Sequence, residues 1–239
     1  MKIKTQAIEG YEYYAVTFDY NQDSELLDGL IDKAREMSSR VNPHSSGGRY
    51  RQEGTRTNKL LGGLLTEAAV IEILRRFANE EGIPLKITES TFIQDLDLAK
   101  LGFNQIDLRL LVKGAFVNLE IRSSFSYKTS LQRLFGVPLI DGKGAFSIIG
   151  WYSSQNKPCE VKKDYYVFGI HHYDPVEVID RAQSRVQLYI AGIASKATLE
   201  SLGFNSSLKQ QGATFRIINP IKEAPCPVLG IREILGIDR

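Results

Sequence analysis

With 239 residues, 43% of them hydrophobic and 24% charged, the chain has the composition of an ordered globular protein and room for a substantial core. A net charge of +2 decides nothing about a polyanionic partner, for which a local patch matters more than the total. Its two cysteines, Cys159 and Cys226, lack CxxC or Cys/His spacing, which argues against a disulfide scaffold and a structural zinc site. No apolar run approaches the span of a bilayer, and residues 1–6 lack a signal-peptide core, so the expected setting is the cytoplasm, without membrane contact.

In chain order, residues 11–20 are rich in Tyr, Val, Thr and Phe and predict a strand. Leu26, Leu27, Leu30 and Ile31 recur at helical spacing, after the caps Asp23 and Ser24, and carry a helix to about Met37. A polar, glycine-containing stretch spans 42–58. The longest helical signal covers 59–81, with Leu61, Leu64, Leu65, Ala68, Ile71, Leu74 and Phe77 in phase, ended by Gly82 and Pro84. A strand is expected at 85–88, a helix at 127–135, and strands at 145–152, 164–171 and 186–194. Ser195 caps a short helix at 196–202 closed by Gly203, and a strand at 214–218 precedes a short terminal helix. This order predicts an α/β protein with a central mixed β-sheet flanked by helices. The polar stretch divides residues 1–57, an N-terminal strand, helix and basic loop that can belong to the same domain, from a core at 58–239.

Two runs, 105–109 and 118–122, flank Lys113 and Gly114 and register as one β-hairpin. With those two residues as the turn, Ile106 faces Ile121, Leu108 faces Leu119, Leu110 faces Val117 and Val112 faces Ala115, which makes one face wholly apolar. Asp107 then lies opposite Glu120 on the other face, flanked by Arg109/Asn118 and Gln105/Arg122. Like charges directly opposed on a sheet destabilise it. Arg109 and Arg122 could neutralise them as ordinary surface partners; a divalent cation would make them useful.

An acid-bearing helix, then a hairpin with Asp, a spacer of about a dozen residues and Glu-x-basic, resembles the PD-(D/E)XK nuclease superfamily over roughly residues 58–195. The resemblance implies a restriction-endonuclease-like core, with Asp107 as first acid, Glu120 as second and Glu67, on the long helix, as auxiliary acid. Glu72 competes with Glu67 for that role. The run 119–124 is similar to the signature strand, and the strands holding Tyr165, Tyr166 and Tyr189 to its downstream core. By the same resemblance, Mg²⁺ (or Mn²⁺ as substitute) would be held by Asp107, Glu120 and the backbone carbonyl of Ile121. The implied activity is endonucleolytic hydrolysis of double-stranded DNA by a homodimer.

Arg122 stands where lysine is usual. A guanidinium is always protonated and cannot act as a base, although it can orient a phosphate. Lys128 is a candidate for supplying the amine. The alternative is a catalytically inactive nuclease-like fold that binds nucleic acid or a partner subunit. For nucleic-acid contact the stretch 40–59 offers Arg40, Arg49, Arg51, Arg56 and Lys59 against the single acid Glu53, a pattern that a solvated loop would share. Lys162 and Lys163 are a second such candidate. His171 and His172 point to opposite faces of a strand, so a structural role is expected of them.

Overall fold

The computed structural model describes residues 1–40, 52–89, 106–135, 147–154, 161–206, 213–218 and 221–237. The chain opens as a hairpin of β1 (Lys2–Ile8) and β2 (Tyr11–Asp19). Helix α1 (Tyr20–Arg40) follows directly, with non-helical dihedrals at Asp23, whose carboxylate accepts the Asp19 N–H at 3.0 Å. Helix α2 (Glu53–Glu80) starts well before the apolar periodicity does. Thr57 and Asn58, expected in a loop, are buried helical residues, and the Asn58 amide donates to the Val176 carbonyl at 3.2 Å. Tertiary contacts thus carry the helix through polar sequence.

Strand β3 (Leu85–Glu89) leads to the hairpin of β4 (Leu108–Val112) and β5 (Ala115–Phe125). The helix expected at 127–135 is confined to α3 (Leu131–Phe135). Then come β6 (Ile148–Ser154), β7 (Tyr165–His171), a 3₁₀ turn at Pro175–Glu177 running into α4 (Val178–Ala182), and β8 (Arg185–Ser195). The chain closes with α5 (Lys196–Leu202), β9 (Phe204–Ser206), β10 (Ala213–Ile218) and α6 (Pro227–Ile234). Ser195 caps α5 as expected, its Oγ accepting the Thr198 N–H at 3.1 Å.

Seven strands form one mixed sheet in the order β1-β2-β8-β7-β5-β4-β3, in which β5 and β7 are the parallel pair. The N-terminal hairpin belongs to this sheet through the β2–β8 ladder. One face, with Val16, Phe18, Leu108, Leu110, Leu119, Val167 and Leu188, packs against α1, α2 and α6. The opposite face, with Tyr166, Phe168, Ile170 and Ala194, is covered by a second sheet, β6-β10-β9, and by the short helices α3 and α5. The fold is therefore α/β with a large mixed sheet flanked by helices, and a small sheet shares the covering of the second face. Helix α2 packs tightly on the sheet at Gly169 of β7, where a Cβ would collide with the Thr66 side chain. That contact sets the height of the next helical residue, Glu67.

Candidate functional site

The hairpin register is the expected one: Leu108 pairs with Leu119, Arg109 with Asn118, Leu110 with Val117 and Val112 with Ala115. Lys113 and Gly114 have φ of 49° and 83°, the two consecutive positive values of a type I′ turn, which matches the twist of the flanking strands. Regular pairing stops at Leu108, so the pairs expected beyond it, Asp107 with Glu120 and Ile106 with Ile121, are not part of the ladder. Beyond it the Asp107 N–H reaches back to the Leu119 carbonyl at 3.1 Å, and the Asp107 carboxylate accepts the Ile121 N–H at 2.6 Å. A side-chain oxygen thus takes over where the β4 backbone ends. Because N–H and C=O of a strand residue point to the same edge, the Ile121 carbonyl faces this edge as well.

Glu120, on the face that carries Tyr166, is held by two cations. Its Oε1 lies 3.3 Å from Arg122 Nη2, and its Oε2 lies 3.1 Å from Lys163 Nζ. Lys163 is 1% exposed, the one lysine in the buried polar set of the described residues. The segment before β7 places it. Asp164 accepts the Asn118 N–H at 2.7 Å and donates its own N–H to the Asn118 carbonyl at 3.0 Å. The Asp164 carbonyl takes the Lys196 N–H at 2.8 Å, and the Lys163 N–H donates to the Tyr166 hydroxyl at 3.0 Å. These bonds clamp the segment to β5, β7 and α5, so the Lys163 side chain has one way in.

Glu67 sits on α2 among Leu64, Ala68 and Ile71, at the edge of a cavity of about 170 Å³ bounded by α1, α2 and β3. Its carboxyl is raised to about 7, chiefly by burial, with Lys33 opposing the rise and Glu89 and Glu120 adding to it. Burial likewise lifts Asp107 to about 6, with Glu67 adding to the rise and the Ile121 N–H, Lys163 and Arg122 working against it. Acids from α2, β5 and the end of β4 therefore share one electrostatic field. Glu72 is occupied otherwise, accepting from Arg76 Nε at 2.7 Å one turn along the helix.

Among the described residues, no group of three Asp, Glu, His or Cys side chains forms a metal cage. The donor chemistry fits Mg²⁺ nonetheless. That ion is usually held by one or two carboxylates, keeps several waters and completes its shell on substrate phosphate. Asp107, Glu120 and the Ile121 carbonyl are oxygen donors of that kind.

The other candidates are more dispersed. Arg49 and Arg51 lie outside the described residues, as does Cys159. Arg56 and Lys59 are on the first turns of α2. Lys128 precedes α3, with its ammonium over the Tyr127 ring at 5.6 Å. His171 is fully buried: its Nε2 donates to the Gly62 carbonyl at 2.9 Å, Nδ1 accepts from the Tyr173 hydroxyl at 2.8 Å, and the ring stacks on Phe125. Burial holds it down at about 4, so it is neutral and serves packing behind α2. His172, on the other face, donates to the Thr129 carbonyl at 2.7 Å. Lys163, expected only as a surface contact to nucleic acid, is instead buried against Glu120, an approach that depends on the parallel pairing of β5 with β7.

No protein-family profile matches the chain, and no solved structure matches it. It is similar to "Uncharacterized protein MJECS01" of Methanocaldococcus jannaschii, 26% identical over 245 aligned positions that cover 90% of this chain and 84% of that protein. No helix among the described residues is long and apolar enough to cross a membrane.

Proposed function

We propose that the protein is a Mg²⁺-dependent endonuclease of restriction-enzyme type, built on the PD-(D/E)XK plan and acting on double-stranded DNA as a homodimer. The observation that carries this reading is Lys163, buried to 1% exposure with its Nζ 3.1 Å from Glu120 and close enough to Asp107 to favour its ionised form. Arg122 occupies the position from which lysine usually acts, and Lys163 brings an amine to the same carboxylate from a different element. A buried lysine is expensive to desolvate, and an active site gives a reason to keep one.

Asp107, Glu120 and the Ile121 carbonyl would hold the ion, with Glu67 as auxiliary acid. A bound Mg²⁺ would supply a lowered pKa for coordinated water and a clamp on the scissile phosphate. Lys163 and Arg122 present N–H donors for the phosphoryl oxygens, and donors fixed in advance in a partly dry site favour the charge that develops there. Glu67, with its carboxyl near 7, exchanges a proton close to neutral pH. Arg56 and Lys59, with Arg49 and Arg51 before them in sequence, supply backbone contacts to DNA.

The test is cleavage of plasmid DNA with Mg²⁺ or Mn²⁺ by wild type, Glu120→Ala and Lys163→Met. Wild type is expected to cut, Glu120→Ala not to cut, and Lys163→Met to cut about 10²–10³-fold more slowly. No metal-dependent cutting on any DNA or RNA in a broad panel would sink the enzyme reading, and Mn²⁺ binding that survives Asp107→Ala with Glu120→Ala would sink the site. The closed ionic cluster at Glu120, with a cation on each oxygen, favours a second reading: a nuclease-like fold that binds nucleic acid or a partner without cutting. DNA binding without cleavage under all metal conditions would select it.

A further inference from the structure

We propose that the open part of the sheet face carrying Glu120 is a second DNA contact, gripping the phosphate backbone away from the cut. The proposal rests on the nuclease reading and adds a surface to it. Residues directly opposite in a ladder share a face. Lys2 pairs with Thr17 and Thr17 with Gln187; Lys4 pairs with Ala15 and Ala15 with Tyr189; Asp19 pairs with Arg185. These side chains stand in rows on one face, with Ala15 and Thr17 as a low floor between Lys2 and Lys4 on one side and Gln187 and Tyr189 on the other. The row of Lys4 continues through Tyr189 to Ile170 and from Ile170 to Ser124, which shares the β5 face of Glu120 and Arg122.

The second sheet and α3 cover only part of this face. The Phe135 ring of α3 stacks on Tyr13 at 4.7 Å, and past that point Lys2, Lys4, Arg185 and Gln187 are exposed. The surface deepens into a hollow of about 320 Å³ lined by His172, Tyr173, Arg181, Arg185, Gln187 and Tyr189. Acids stand beside two of its lining arginines, Glu177 at Arg181 and Asp19 opposite Arg185 in the ladder. Glu177 is paired to Arg181 at 2.6 Å, and Asp19 accepts the Asn21 N–H at 3.0 Å. Among the described residues, Lys2, Lys4 and Arg185 make no ion pair, so their charge faces outward.

The dimensions suit a nucleic-acid backbone. Lys2 and Lys4 are about 6.8 Å apart along the strand, close to the axial advance of two phosphates at about 3.4 Å each. The sheet order puts four inter-strand steps between β1 and β5, a span of about 19 Å at about 4.8 Å per step. A duplex engaged at Glu120 would therefore meet Lys2 and Lys4 roughly five or six base pairs away.

The experiment compares wild type with the Lys2→Ala/Lys4→Ala/Arg185→Ala variant in metal-free binding titrations over a salt series. The probes are duplexes of about 8 and about 24 base pairs, which when centred at Glu120 reach about 14 Å and about 41 Å to either side at about 3.4 Å per pair, short of and beyond the span of about 19 Å to β1. The expected result is equal affinity for the short duplex and weaker binding of the long one. Its log–log salt slope should fall by about 2.7, three contacts at about 0.9 each. A Lys2→Arg/Lys4→Arg/Arg185→Lys variant should bind as wild type does. An unchanged slope on the long duplex overturns the proposal while leaving the nuclease reading in place, and so does an equal loss on both duplexes. Failure of wild type to bind either duplex overturns the nuclease reading and this surface with it.

Discussion

The ion pair between Glu120 and Lys163 is unequal in burial, with side-chain exposures of 16% and 0%, and that inequality predicts unequal mutational costs. Glu120→Ala leaves the Lys163 ammonium inside the protein without its carboxylate. Removing one partner of a buried pair costs about 3–5 kcal/mol, because desolvation is no longer offset. For a chain of this length that is a fall of roughly 6–20 °C in Tm. Lys163→Met removes the deeply buried charge and fills the same volume with apolar atoms. Glu120 then keeps Arg122 at 3.3 Å and its own contact with solvent, so the stability change should stay within about 1 kcal/mol of zero. Urea unfolding of the metal-free proteins measures both values, provided the slope with denaturant stays constant. Cleavage should respond differently, with Glu120→Ala inactive and Lys163→Met reduced about 10²–10³-fold, as when one fixed donor to a developing oxyanion is lost. A variant that is stable and inactive marks a lysine kept for chemistry. If Lys163→Met is as unstable as Glu120→Ala, or cuts as well as wild type, the argument fails.

Three further outcomes follow from the same geometry. Glu67 is protonated in both folded and unfolded states below its ordinary value of 4.5, and as pH rises from there through about 7 the folded protein must ionise a buried carboxyl, so stability falls. Unfolding midpoints should show Glu67→Gln gaining on wild type between pH 5 and pH 8; a constant gap would show that Glu67 ionises freely. His171 has the opposite sign: its contribution is whole above 6.5 and disappears as pH falls through about 4. His171→Phe should flatten that acid limb while costing about 1–3 kcal/mol at neutral pH, since the Tyr173 hydroxyl loses its acceptor; equal stability at pH 7 would rule this out. Gly169→Ala drives a methyl into Thr66, should cost about 1–3 kcal/mol, and should weaken cleavage by lifting Glu67 off the sheet. Thr66→Ser, which removes the colliding methyl, should restore both Tm and cleavage, and absence of rescue would place the strain elsewhere.

The hairpin was legible in the sequence because two local rules agree on it. Period-two alternation allows one register that buries Leu108, Leu110, Val112 and Leu119, and Lys113-Gly114 supplies the turn that closes it. Helix α5 was legible for a similar reason, with a serine cap at one end and Gly203 at the other. Elements formed by distant partners were not. Strand β1 is mostly exposed and has little apolar signal, and its ladder with β2 is what makes it a strand. Strand β5 runs on to Phe125, past the point where alternation loses meaning, because β7 lies alongside and His171 stacks on Phe125 at 4.8 Å. The helix expected at 127–135 begins only at Leu131, after Ser130, whose Oγ accepts the Arg133 N–H at 3.3 Å. Helix α4 and the turn before it had no apolar period to announce them, only Asp174, whose side chain accepts the Val176 N–H.

The same division runs through the candidate site. Asp107 and Glu120 could be placed together from neighbouring sequence, but the charges that govern them could not. Lys163 reaches Glu120 from the far side of a parallel pair, and the charge of Glu67 raises Asp107 across the gap between helix and sheet. Taken as two opposed carboxylates, the hairpin is a site of repulsion that calls for a cation. In the folded protein Glu120 already has Arg122 and Lys163, while Asp107 and Glu67 are lifted toward neutral pH and hold their negative charge only loosely. Positive and negative groups thus nearly cancel around the end of β4. A strongly negative pocket would bind a metal ion and repel a phosphodiester, and a strongly positive one would do the reverse. A nearly balanced site can accept both together, and that is what hydrolysis of a DNA backbone requires.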